Sequence, residues 1–146
     1  MKRFFAFLIV VTCMLALAGC SNAPEVTVVD GVTISYGKSS VYTKEDMDAA
    51  IRLIREEFDT WEGCELHSIS YVSDNENNPE NIVWMNELEE ANDAEEVFTQ
   101  CIVFISDFHS PIENSGAWNP DQEYTGWQWW LARAEGGQWK LMTWGY

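Results

Sequence analysis

Thr43-Lys44-Glu45-Asp46-Met47-Asp48-Ala49-Ala50-Ile51-Arg52-Leu53-Ile54-Arg55-Glu56-Glu57-Phe58-Asp59-Thr60-Trp61 is the stretch on which the fold turns. Met47, Ala50, Ile51, Ile54, Phe58 and Trp61 recur at steps of three and four, which places them on one side of an α-helix. Glu45, Asp48, Arg52, Arg55, Glu56 and Asp59 fill the rest of the surface. Thr43 is placed to cap the first turn, with Asp46 at the third helical position and Tyr42 able to staple against Met47. Gly63 is the stop signal. A helix over 44 to about 61 with one apolar face needs an apolar layer to lie on.

The layer is supplied downstream. Cys64 to Val72 carries Leu, Ile, Tyr and Val with no helix formers in its centre and reads as a strand. After the polar Asp74–Pro79 segment, Asn78 and Pro79 suit a cap and a first helical position, and Ile82, Met85 and Leu88 keep helical spacing over about 80 to 91. Val97 to Phe108 has apolar residues on both parities, the pattern of a central strand covered on both faces. A loop over 109–125, with Pro111, Gly116 and Pro120, is long for a compact domain.

Gly126 to Ala134 and Gln138 to Trp144 flank Glu135-Gly136-Gly137 and predict a hairpin. A Gly-Gly turn would set Arg133 opposite Lys140, a like-charge pair that costs stability. A three-residue loop sets Arg133 against Trp139 and Leu131 against Leu141, and puts Trp127, Trp129, Leu131, Trp139 and Leu141 on one face. Trp130, Met142 and Trp144 then share the other. Together these elements predict an α+β domain over 41–146, with the N-terminal helix packed on a curved antiparallel sheet of about four strands.

Upstream of the helix the chain changes character. Lys2 and Arg3 precede an apolar run from Phe4 to Leu17 that is too short for a stop-transfer helix and closes on Leu17-Ala18-Gly19-Cys20. This is a signal-peptide pattern over 1–19, and its last four residues resemble the lipobox of bacterial lipoproteins, in which the thiol at the position of Cys20 receives lipid. Two acyl chains make a stable anchor. The expected location is the extracytoplasmic face of the cell membrane. Residues 20–40 read as a tether, within which Val26–Ile34 alternates around Asp30-Gly31, the signature of a short hairpin.

The chain has 24 Asp and Glu against eight Lys and Arg, a net charge of −16, and loss of Lys2 and Arg3 with the signal leaves −18. Such a surface repels polyanions, which disfavours nucleic acid as a partner. Of the four cysteines, Cys13 leaves with the signal and Cys20 takes lipid, so Cys64 and Cys101 remain as either a disulfide or two buried thiols. A bridge would close 36 intervening residues and add about 3 to 4 kcal/mol in the chain-entropy model.

Over about 36 to 146 the chain resembles a family of small uncharacterised lipoproteins of clostridia-like bacteria. The likeness rests on Tyr42-Thr43-Lys44-Glu45-Asp46, Gly63-Cys64-Glu65-Leu66, Ser106-Asp107-Phe108, Asn119-Pro120, Trp139-Lys140 and Trp144-Gly145-Tyr146. The order of elements also resembles the cystatin or NTF2-like architecture, which hosts both enzymes and binders and so does not fix a function.

No HExxH, GxSxG, phosphate loop, CxxC pair or EF-hand loop is present. No cofactor is expected. Asp74, Glu76 and Asn78 carry oxygen side chains at alternate positions, but Pro79 and Met85 stand where an EF-hand needs Gly and Glu. His67 and His109 are the only histidines; with Asp107 they form a candidate acid–base or metal cluster at one end of the sheet. Six of eight tryptophans follow residue 117. Trp118, Trp130 and Trp144, rimmed by Asp121, Glu123 and Gln128, form a candidate platform for a sugar or a protein. The expected function is a membrane-anchored, non-catalytic binding or interaction module, partnered by an extracytoplasmic protein, small molecule or glycan. The alternative is an NTF2-like enzyme with a pocket near Asp107 and His109.

Overall fold

The computed structural model of the chain describes residues 24–94 and 96–146. The signal-peptide pattern, Cys13 and Cys20 lie outside these described residues. The chain forms β1 (Glu25–Val29), β2 (Val32–Gly37), α1 (Lys44–Phe58), β3 (Glu65–Tyr71), α2 (Pro79–Ala91), β4 (Gln100–His109), β5 (Glu123–Arg133) and β6 (Lys140–Gly145). The six strands make one sheet in chain order. The α+β class stands, but the sheet has six strands rather than about four and is mixed rather than antiparallel. The hairpin at Asp30-Gly31, both residues at positive φ, is built into the sheet. Its second strand pairs parallel with β3 across α1, while every other pairing is antiparallel. Residues 25–37, expected within the tether, therefore belong to the domain.

The physical reason is burial. Val32, Ile34 and Tyr36 alternate inward and sit beneath α1 with Met47, Ala50, Ile51, Ile54 and Phe58. Thr43 caps α1 in a full capping box with Asp46, and Tyr42 and Met47 both enter the core. Asp46 also accepts from Arg133 Nη1 at 2.6 Å, while its backbone carbonyl accepts from Trp139 Nε1 at 2.9 Å, so the start of α1 is bolted to the hairpin of β5 and β6. Gly63 ends the connection at φ +75°; a Cβ there would lie 3.0 Å from Pro111, so glycine permits both the backbone and the close approach.

Each face of the sheet carries one helix. On the α1 side, Ile69, Tyr71, Ile102, Phe104, Phe108, Trp129, Leu131 and Trp139 complete the main core. On the other side, α2 covers Cys101, Val103 and Ala132 through Met85, with Ile82, Leu88, Trp130 and Met142 around them. The both-sided burial expected of Val97 to Phe108 is found in β4. Asn86 clips α2 to the chain ahead of β4, donating to Phe98 O and accepting from Phe98 N. Glu89, 1% exposed, accepts from Lys140 Nζ at 2.6 and 2.7 Å.

The three-residue turn register is the one adopted: Leu131 pairs with Leu141, and Arg133 lies over Trp139 at 4.2 Å from the ring centroid. Trp144, expected beside Trp130, lies instead opposite Trp129. Trp130 pairs with Thr143 while Leu131 pairs with Leu141, so Met142 is an extra residue and the parity of β6 reverses beyond it.

Cys64 and Cys101 are free thiols, which corrects the disulfide alternative. Glu65 is opposite His109, so Cys64 sits at the far end of β4 from Cys101, eight residues or about 27 Å along the strand. Burial raises both thiol pKa values, that of Cys101 to about 12.

Candidate functional site

Two bulges shape one end of the sheet. In β3, Leu66 is opposite Phe108 and Ser68 opposite Asp107, which leaves His67 as the extra residue. In β5, Tyr124 is opposite Phe108 and Trp127 opposite Ser106, with Gly126 at φ +71° taking up the slack. Bulges re-aim side chains. Here His67 Nδ1 meets Glu123 Oε1 at 3.0 Å, and His109 Nδ1 meets the other oxygen of Glu123 at 3.1 Å. His109 Nε2 is 3.0 Å from Asp121 Oδ1. Three strands and the loop before β5 are thus joined by a chain of imidazoles and carboxylates.

The protonation state follows from geometry. A neutral imidazole has one N–H, yet both ring nitrogens of His109 face carboxylate oxygens, so the arrangement is complete only for the imidazolium. Asp121, then Glu123, raise the pKa of His109 above its ordinary value. The two histidines are bridged by Glu123, with Asp121 on His109 alone, rather than joined through Asp107. Asp107 accepts instead from Ser68 Oγ at 3.1 Å and from Gly126 N at 2.9 Å, which fastens the two bulges. Among the described residues, no group of three or more His, Cys, Asp and Glu is disposed to hold a metal ion. His67 Nδ1 and both nitrogens of His109 are each aimed at a separate carboxylate oxygen, a proton-sharing arrangement. A cleft of about 310 Å³ beside it is lined by Gly63, Glu65, His109, Ser110, Pro111, Ile112 and Asp121.

The oxygens of Asp74, Glu76 and Asn78 are spent on structure. Asp74 accepts from Ser39 Oγ, Ser40 N, Ser40 Oγ and Tyr71 OH, and these contacts bring its pKa down to about 2. Asn78 caps α2 through Asn81 N at 2.9 Å, and Glu76 accepts from Asn81 Nδ2 at 3.2 Å.

The three tryptophans expected to form a row are divided between the faces. Trp118 packs into the main core, 4.9 Å from Trp61 and 5.2 Å from Phe108 between ring centroids. The loop that carries it is tied at its neck by buried Ser110, whose N–H and hydroxyl bond Gln122 O and Asn119 O. Trp144 is 41% exposed and lies 6.1 Å from Trp129 on the α1 side. Trp130 stands on the α2 side, where Trp84 of α2 meets it edge-on at 4.9 Å and 76°.

Trp130 separates two clefts, each of about 180 Å³. One is lined by Trp84, Gln128, Trp130, Thr143, Trp144, Gly145 and Tyr146. The other is lined by Val72, Glu76, Val103, Ile105, Gln128 and Trp130. The Trp130 indole is held in place, because its Nε1 donates to Gln128 Oε1 at 3.0 Å. Trp84 was missed from sequence, although a tryptophan off the Ile82, Met85 and Leu88 stripe of a helix is itself a signal; it is 38% exposed. The chain matches no family model, no curated protein and no solved structure.

Proposed function

We propose that the chain is an extracytoplasmic lipoprotein, anchored through lipid on Cys20, whose domain is a non-catalytic binding module. The anchor rests on the Lys2-Arg3, apolar run and Leu17-Ala18-Gly19-Cys20 order, and the likeness to small clostridial-type lipoproteins accords with it. The binding role rests on one observation: a rigid Trp130 between two open clefts on a sheet face that α2 covers only in part. Rigid aromatic surface beside a few polar groups is the usual make-up of a recognition site. Four residues separate Cys20 from Glu25, so lipid at Cys20 would hold the sheet within roughly 18 Å of the bilayer.

The test has two readouts. Expressed in a bacterial host fed an alkyne fatty acid, the full chain should take up label and fractionate with membranes, and Cys20→Ala should lose both. In the purified chain, acrylamide should quench Trp130 readily, read as the signal lost in Trp130→Phe. An unlabelled, soluble wild-type chain would refute the anchor, and a shielded Trp130 would refute the binding surface.

A second reading, an enzyme using acid–base chemistry, has the cleft beside His109 and Asp121 in its favour. The NTF2-like form of that reading places its pocket between helix and sheet, a space occupied here by Tyr42, Phe58, Trp61, Phe104, Phe108 and Trp129. Turnover that disappears in His109→Ala would establish the enzyme and displace the binding module.

A further inference from the structure

We infer that the two clefts flanking Trp130 are consecutive subsites for an uncharged oligosaccharide, with the Trp130 indole as their common wall. The inference rests on the binding reading above and names its ligand class. Four features carry it. The indole is preorganised by its Nε1 bond to Gln128 and by the edge contact from Trp84, so little freedom is lost when a ring stacks on it. A pyranose offers a C–H-rich face to an aromatic wall and a rim of hydroxyls in its own plane, and each cleft pairs the wall with hydroxyl-binding groups. Gln128 lines both clefts; with its Oε1 engaged by Trp130, its amide N–H groups are left to donate. Thr143 adds a hydroxyl to one cleft and Glu76 a carboxylate to the other.

Size and charge narrow the class. Two clefts of equal volume, about 180 Å³ each, on either side of one wall suit a repeating ligand better than a single compact one. Flat anionic ligands such as nucleotides would also stack, but the net charge of −16 and Glu76 at the cleft oppose them. A flat or flexible cationic ligand is the competitor, since cations also favour indole faces.

The test uses the full chain purified in a zwitterionic detergent, because glycoside detergents would compete. Titration with chitotetraose and with cellotetraose, followed by tryptophan fluorescence and calorimetry, should saturate for at least one of them. Trp130→Ala should weaken that binding at least tenfold, Trp84→Ala and Gln128→Ala about three- to tenfold, and His109→Ala should leave it unchanged. Gln128→Ala keeps the test decisive if Trp130→Ala unfolds. No saturation by either sugar at millimolar concentration overturns the inference, as does sugar binding that survives both Trp130→Ala and Gln128→Ala. Decalysine is titrated alongside: its binding, lost in Trp130→Ala and without any sugar binding, would overturn the saccharide while leaving the binding module standing. Sugar binding by an unlabelled, soluble chain would do the reverse, removing the anchor and keeping the site.

Discussion

The two faces of the sheet are built to different ends. The α1 face is closed: α1 lies across it, and Trp61, Phe108, Trp118, Tyr124, Trp127 and Trp129 pack on one another at centroid separations of 4.9 to 6.5 Å. The α2 face is closed only over β4 to β6, and what lies beyond α2 is a mixture of polar groups and half-exposed apolar ones. Aromatic residues on the first face exclude water and set stability, whereas Trp130 on the second keeps a free flank. The same residue type thus serves cohesion on one side and contact on the other.

The largest test of this contrast is Trp129→Ala. Trp129 is fully buried, stacked on Trp61 at 5.2 Å and bonded through Nε1 to Ser106 Oγ, so its loss should cost about 3–5 kcal/mol in urea unfolding. Next is Lys140→Met, which leaves buried Glu89 without its cation. About 2 kcal/mol is expected, since the ammonium of Lys140 keeps much of its solvent, and Glu89→Gln in the same chain should restore part of it. Trp130→Ala should cost only about 1 kcal/mol, because part of its ring is already wet; a loss equal to that of Trp129→Ala would show that both faces are core and break the comparison.

The smallest effect is Trp127→Phe. Its Nε1 is buried with no hydrogen-bond partner among the described residues, so removing the N–H relieves a desolvated donor and offsets the lost packing. Unfolding in urea should show a change under about 1 kcal/mol, whereas Trp129→Phe, which orphans Ser106, should show more.

A pH series separates the polar array from both cores. The pKa of His109 is raised in the folded state, so its contribution is fully present below about pH 6.5, the ordinary histidine value, and fades as pH rises through the raised value. Melting temperatures of the wild type and His109→Gln should therefore differ most in mild acid and converge in alkali. A gap that widens with pH would mean that the array works through a neutral imidazole.

Much of the architecture was legible because it is local. The Thr43 cap, the α1 stripe and the β5–β6 register each follow from residues a few positions apart. What was not legible depends on pairings that local pattern does not encode. The parallel β2–β3 contact draws the first hairpin into the sheet, and nothing within Val26–Ile34 announces it. The bulge at Met142 turned Trp144 to the α1 side, and the bulge at His67 aimed that ring at Glu123. At the site, His67, His109, Asp121 and Glu123 were all singled out from sequence, but the acids as the rim of an aromatic platform. Their meeting with the histidines depends on the neck at Ser110, which brings residue 121 back beside residue 109. Trp118 was misread for the opposite reason: a loop tryptophan looked exposed, and the same neck folds it inward.

The order β1-β2-β3-β4-β5-β6 across the sheet has a kinetic consequence. Every strand adds beside the one made just before it, so a chain emerging N-terminus first from any pore presents each new strand with a finished edge. The two long closures, residues 38–64 through α1 and residues 72–99 through α2, each join strands that are neighbours in the sheet, and the first is complete before β4 supplies the most apolar strand. Assembly can proceed like laying planks, with no strand waiting on a distant partner and little time for β4 to stand unpaired.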